Sequence, residues 1–246
     1  MRKTGLIIIN SIKNNLRLKV ALMIYIAVTI ICVLGLVISI CVFLIAPEMN
    51  TGLPDRSKLE LYLGLIMYST CFIGLGVNLN AFAYQSMTRE KFRGNIESLL
   101  ATPLEAKNIW IAKSIAIFIP GLILGEVLTF IVLIAVNYVY FIPEIGFIFN
   151  NWLAISSFVA APLIYLCLSL LFYLVALTGK PATGNVIIQV FLPVVINLMI
   201  NLVVRDILVG TSWQFTVVNL GIAAVIAIIV IFLKPRLTKE RIVLSR

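Results

Sequence analysis

The sequence predicts an all-α integral membrane protein with six transmembrane helices and two further amphipathic helices. Hydrophobic residues make up 62% of the 246 residues, charged residues only 12%, and the mean hydropathy is +1.13. Soluble domains carry about 25% charged residues, so the chain lies outside the globular range. Its charges are concentrated between six apolar segments, each long enough to cross a hydrocarbon core of about 30 Å.

The six predicted spans cover residues 20–46, 61–84, 114–141, 152–178, 186–204 and 215–233. We treat residues 1–246 as a single transmembrane domain, because little sequence remains between the spans. Within it we expect an interfacial helix over 1–19, spans 1 and 2 over 20–85, a cytoplasmic loop over 86–113, spans 3 to 6 over 114–233, and a cytoplasmic tail over 234–246.

The distribution of basic residues predicts the orientation. With both termini inside, sixteen of the nineteen basic residues fall in cytoplasmic segments, and only Arg56, Lys58 and Arg205 fall in outer loops. Cytoplasmic segments of membrane proteins are rich in lysine and arginine. We therefore expect a multi-pass plasma-membrane protein with cytoplasmic termini. Because the basic residues flank span ends and form no surface stripe, nucleic-acid binding is disfavoured.

The first nineteen residues form a predicted amphipathic helix. Leu6, Ile9, Ile12 and Leu16 recur at helical spacing, with lysine and asparagine on the other side. Such a helix lies on the inner leaflet, where its cations meet anionic lipid head groups. The alternative is an ordinary positively charged flank of the first span.

The second amphipathic segment is the polar run REKFRGNIESLLATPL at residues 89–104. Phe92, Ile96, Leu99 and Leu100 are spaced so that they share one face of a helix. Pro103 is expected to end this helix, and a second helical stretch at 105–113 leads into span 3. The apolar face must be covered by lipid head groups or by protein, and physical chemistry alone favours neither.

This segment resembles the signature of the ABC-2 type transporter permeases. The matching residues are Glu90, Gly94, Ile96, Glu97, Leu99, Leu100, Thr102, Pro103 and Leu104, and Lys113 fits a lysine that often follows. Asn95 stands where the family usually has threonine. The six spans, the cytoplasmic termini and the N-terminal interfacial helix extend the resemblance over the whole chain.

The resemblance implies a partner for the segment. In that family the loop holds a coupling helix that inserts into a separate ATP-binding subunit, and two permease chains, identical or different, assemble with two such subunits. The implied contact residues are Glu90, Gly94, Glu97, Leu99 and Leu100, and the apolar face adds Phe92 and Ile96. For Glu97, a solvated helix charge is the alternative.

The chain itself is not expected to be an enzyme or to bind ATP. The pair Gly179-Lys180 is followed by proline and lacks the upstream glycine and the Ser/Thr of a phosphate-binding loop. There is no histidine, and no catalytic residue, metal site or cofactor site is indicated. ATP and magnesium are therefore expected on the partner subunit.

Polar residues inside the spans are candidates for the substrate pathway. Gln189, Asn197 and Asn201 share a face of span 5, and Asn78 lies on span 2, where small residues make helix packing an equal alternative. Glu126 lies near the middle of span 3. A carboxyl there either lines the pathway or is a neutral acid bonded to a neighbouring helix.

These observations favour the permease subunit of an ATP-driven exporter, forming the pathway as a dimer. The alternative is an ion-coupled secondary transporter that uses Glu126 as a proton site. Apart from Glu126 the pathway candidates are uncharged, which suits lipids, amphipathic drugs, peptides and polymers equally. Export is what the resemblance implies.

Overall fold

The fold is helical throughout the residues that the structure, a computed structural model, describes: 2–17, 19–50, 54–102, 104–204 and 213–244. No strand occurs in these ranges, which confirms the all-α class. The helices there are α1 (Arg2–Leu16), α2 (Lys19–Met49), α3 (Arg56–Phe92), α4 (Asn95–Leu100), α5 (Ala106–Phe141), α6 (Asn151–Thr178), α7 (Pro181–Val204), α8 (Trp213–Leu233) and α9 (Lys239–Leu244).

Five of the described helices, α2, α3, α5, α6 and α8, are long and apolar enough to cross a membrane. They coincide with predicted spans 1, 2, 3, 4 and 6. The predicted fifth span lies on α7. The apolar part of this helix, Ala182–Leu198, is shorter than the apolar stretches of the other five. The connection from α7 to α8, residues 205–212 with Arg205 and Asp206, lies outside the described residues.

Helix α3 is the centre of the bundle and packs against α2, α5, α6 and α7. Its closest neighbour is α5, and glycines on both helices allow the approach: a Cβ added to Gly74 would lie 2.9 Å from the Cα of Gly125. Small residues let helix backbones approach when no hydrophobic driving force acts between helices in lipid. Gly74, which shares a face of α3 with Thr70 and Asn78, therefore lies in a helix-packing contact.

Buried polar bonds tie α8 to the rest of the bundle. The Tyr68 hydroxyl of α3 donates to Asn219 Oδ1 of α8 at 2.5 Å. Thr216 of α8 donates to the Trp152 carbonyl at 2.8 Å, and its hydroxyl lies 2.9 Å from that of Ser156 on α6. Because isolated buried polar groups are costly, these paired groups fix the register of α8 against α3 and α6.

The connections between helices lie at the two opposite ends of the bundle. At one end, which we call the loop end, α1, α4, the turn at Gly179 and α9 meet: Lys91 Nζ donates to the Gly179 carbonyl at 2.6 Å, and Lys239 Nζ to the Leu100 carbonyl at 3.0 Å. The starts of α6 and α8 lie at the far end, where Asn150 Nδ2 donates to Glu60 Oε2 at 3.0 Å. The first and last described helices therefore lie at the same end.

Candidate functional site

The segment 89–104 forms a helix–turn–helix corner at the loop end. Helix α3 runs through Phe92, Gly94 turns the chain with φ of 70°, and α4 begins at Asn95. Positive φ is the conformation in which glycine commonly ends a helix. The prediction of one continuous helix through this segment was therefore wrong, because Gly94 breaks it. Pro103 lies outside the described residues.

The break divides the predicted contact residues into two groups. Ile96 and Leu100 are 3% and 7% exposed and belong to the core of this chain. Phe92 is 81% exposed, whereas Gly94 and Leu99 are half-buried. The side chain of Glu97 lies outside what the structure describes. The four apolar residues thus do not form one exposed face, and Phe92 is the large apolar side chain that the corner presents outward.

Glu90 forms an ion pair inside the chain. Its Oε1 accepts from Lys113 Nζ at 2.5 Å, and the two side chains are 12% and 9% exposed. Two buried charges are tolerated only when they are paired with good geometry. The pair joins the end of α3 to the beginning of α5, so the structure places Glu90 in an internal contact and not on the outer surface of the corner.

Further bonds connect the corner to the other elements of the loop end. Lys91 is buried and reaches the turn between α6 and α7, and Lys239 holds α9 against the end of α4 through the Leu100 carbonyl. Trp110 Nε1 donates to the Leu170 carbonyl at 2.8 Å, which ties α5 to α6 below the corner. The corner is therefore in direct contact with α5, with the turn between α6 and α7, and with α9.

A cavity of about 770 Å³ opens between α2, α3 and α7. Gln189, Asn197 and Asn201 lie on its α7 wall together with Pro193, as the predicted polar stripe requires. Asn201 Nδ2 donates to the Asn197 carbonyl at 2.9 Å and also contacts the Asn197 side chain. Cys32, Ile73, Gly76 and Asn80 contribute to the α2 and α3 walls, and among the described residues no charged side chain lines the cavity.

Asn78 does not line this cavity. It is 1% exposed, and its Nδ2 donates to the Ile117 carbonyl at 2.8 Å and to the Tyr165 hydroxyl at 2.5 Å. It therefore connects α3 to α5 and α6. Sequence reasoning missed Asn80, which does line the cavity and lies about 200° around the helix from Asn78.

Glu126 lies apart from the cavity. It is half-buried on α5 between Ile123 and Val127, which are 59% and 50% exposed on the outer surface of the bundle. Among the described residues no basic side chain forms an ion pair with it. The structure thus separates Glu126 from the polar residues of α7 with which the sequence had grouped it.

The described residues contain no group of three or more histidine, cysteine, aspartate or glutamate side chains that could hold a metal ion. Fold and site together define an all-α protein with the helices of a membrane protein, an open cavity between α2, α3 and α7, and a structured corner at one end. Comparison with protein-family models, with curated proteins and with solved structures finds no match to the chain.

Proposed function

We propose that this chain is the permease subunit of an ATP-driven exporter of the ABC-2 type. It works as a dimer in the cell membrane, and its corner at residues 89–104 docks onto separate ATP-binding subunits. The observation that carries the proposal is the construction of this corner, in which Phe92 projects outward while the flanking residues are bonded to α5, to the turn between α6 and α7, and to α9.

The corner suits the transmission of force from a partner. Exposed Phe92 stands between the exposed arginines Arg89 and Arg93, so a partner meets an apolar side chain with charges around it. Large side chains that insert into a pocket contribute most of the energy of a typical interface. The Glu90–Lys113 pair and the Lys91–Gly179 bond then carry a displacement into α5 and α6.

The basic residues favour a cytoplasmic position for the loop end. Lys13, Lys91, Lys113, Lys180 and Lys239 all lie in the segments that meet there. Lysine and arginine accumulate in cytoplasmic segments, and only a cytoplasmic corner is accessible to an ATP-binding subunit.

The same geometry supports a further crossing by α7, the predicted fifth span. Helix α7 starts beside Gly179 at the loop end, whereas α8 starts beside Trp152 at the far end. The chain must therefore pass from one end to the other between residues 181 and 213. A helix of 24 residues rises about 36 Å, which is enough to cross a hydrocarbon core.

The cavity between α2, α3 and α7 is the proposed substrate pathway. Its amides offer donors and acceptors in an otherwise apolar wall, and Asn80 replaces Asn78 as the α3 contribution. A wall of this kind holds an amphiphile through uncharged hydrogen bonds and apolar contacts.

Purification of the tagged chain from its native membrane tests the proposal. We expect ATP-binding subunits to co-purify and to hydrolyse ATP. Phe92→Asp abolishes their retention, because it places a charge in the docking pocket. Phe147→Asp is the matched control, because Phe147 is 55% exposed in the connection between α5 and α6 at the far end.

Two results would overturn the proposal. One is retention of the ATP-binding subunits by the Phe92→Asp variant at the level of the unmodified chain. The other is transport by the purified chain alone on an ion gradient, with loss of that transport in Glu126→Gln. The second result would support the ion-coupled transporter instead.

A further inference from the structure

A second cavity, of about 600 Å³, lies at the loop end between α1, α4 and the start of α5. One wall comes from α1, with Asn10, Lys13, Asn14 and Arg17, and the facing wall includes Asn95 and Ser98 of α4. The cavity differs from the one between the spanning helices, because its walls carry cations, amides and hydroxyls. It therefore suits a different kind of ligand.

The charge of this cavity is positive. Glu90 and Lys113 also line it, but they neutralise each other in their ion pair at 2.5 Å. Lys13 and Arg17 remain, and among the described residues no carboxylate forms an ion pair with either. Two cations beside amide and hydroxyl donors are the groups that bind a phosphate.

The surface beside the cavity is apolar. Leu6, Ile9 and Leu16 of α1 are 58%, 63% and 43% exposed. Successive residues of a helix are about 100° apart, so these side chains occupy the face next to the one that lines the cavity, and Lys13 lies between the two faces. A molecule with its phosphate in the cavity can therefore place an acyl chain along the neighbouring face.

From this juxtaposition we propose that the cavity between α1 and α4 binds the phosphate of an anionic phospholipid. The lipid bridges the N-terminal helix and the corner, since Lys13 and Arg17 lie on one wall and Asn95 and Ser98 on the other. The site goes beyond the proposed function and does not depend on it, because lipid binding requires no partner subunit.

Lipid retention by the purified full-length chain tests this site. The chain is placed in nanodiscs with equal amounts of phosphatidylglycerol and phosphatidylcholine, released into detergent, and analysed for bound lipid by native mass spectrometry. We expect retention of phosphatidylglycerol over phosphatidylcholine. The double variant Lys13→Gln/Arg17→Gln lowers that retention roughly tenfold, since each basic residue near a membrane surface contributes to anionic-lipid binding.

Matched variants separate the site from general surface charge and from misfolding. Lys234→Gln/Arg236→Gln removes two exposed charges from the segment between α8 and α9 and leaves retention unchanged. Lys13→Arg/Arg17→Lys keeps both charges and retains the lipid. Equal retention of the two lipids, or equal losses in the two glutamine variants, would overturn the proposal.

A final experiment distinguishes the phosphate of a lipid head group from free inorganic phosphate. Inorganic phosphate at millimolar concentration is added to the lipid-free chain, and its binding is measured by calorimetry. We expect no binding, because free phosphate makes no contact with the apolar face. Binding of inorganic phosphate that depends on Lys13 and Arg17, without selective lipid retention, would refute the lipid assignment.

Discussion

At the scale of single residues, the Glu90–Lys113 pair joins the two helices that meet at the corner, and the proposed function gives it a second role in coupling. Both side chains are nearly buried, and Lys113 Nζ donates a charge-assisted hydrogen bond to Glu90 Oε1. Their helices meet at the corner, so the pair fixes the angle between α3 and α5 there.

Removal of one partner should be costly. Glu90→Gln leaves the Lys113 ammonium group buried without a counter-charge, and we expect a loss of about 3 kcal/mol in the stability of the isolated chain. Thermal unfolding in detergent measures this loss. The swap Glu90→Lys/Lys113→Glu should recover most of it.

Arg56→Gln is the control for this prediction. Arg56 pairs with Glu60 at 3.4 Å, but its side chain is 69% exposed, and exposed ion pairs contribute at most about 1 kcal/mol. If Glu90→Gln unfolds at the same temperature as Arg56→Gln, the buried pair has no structural role.

The limits of sequence reasoning are clearest at individual positions. The spacing of Phe92, Ile96 and Leu100 predicts a common face only if the helix is continuous, and Gly94 removes that condition with its positive φ. The glycine was itself the available signal, since it often ends helices. The choice between Asn78 and Asn80 had no such signal, because it depends on which neighbouring helix each side faces.

At the scale of elements, the long continuous apolar segments of the sequence predicted most of the long helices well. Spans 1, 2, 3, 4 and 6 coincide with long apolar helices, because length and hydropathy alone decide whether a segment can cross a membrane. The packing of α1 onto α5 and of α9 against α4 could not be read from the sequence. These contacts join elements far apart in the chain, and no local pattern encodes them.

The close packing of α3 against α5 gives a second prediction. Gly74→Ala places a Cβ 2.9 Å from the Gly125 Cα, a contact that requires backbone movement. We expect destabilisation by about 1–3 kcal/mol, the usual cost of overpacking. Thermal unfolding measures it, with Gly221→Ala on α8 as control, because a Cβ there meets nothing within 4 Å. Equal unfolding midpoints for Gly74→Ala and Gly221→Ala would contradict the prediction, because they would show that α3 and α5 can move apart at no cost in stability.

At the scale of the whole molecule, the arrangement of the two ends links the topology to the proposed mechanism. The loop end gathers α1, the corner, the Gly179 turn and α9, an arrangement that agrees with the proposed six crossings. Such clustering would give the proposed ATP-binding subunit a single face to bind. It also means that the orientation of this face decides whether the proposed coupling is possible.

Cysteine labelling of intact cells tests the orientation and the sixth crossing together. In a chain freed of its four native cysteines, Lys180→Cys marks the start of α7, and Trp213→Cys marks the start of α8. Both positions are exposed. We expect a membrane-impermeant maleimide to label position 213 in intact cells and position 180 only after permeabilisation. Helix α7 separates the two positions, so opposite accessibility requires that it crosses the membrane.

Glu144→Cys, in the exposed connection between α5 and α6 at the far end, is the positive control for outside labelling. Labelling of positions 180 and 213 from the same side would mean that α7 does not cross, and the bundle would then have five spans. Labelling of position 180 from outside, with 144 protected, would place the corner outside the cell. No ATP-binding subunit could reach Phe92 there, so this result would exclude ATP-driven coupling through the corner even if the fold is as described.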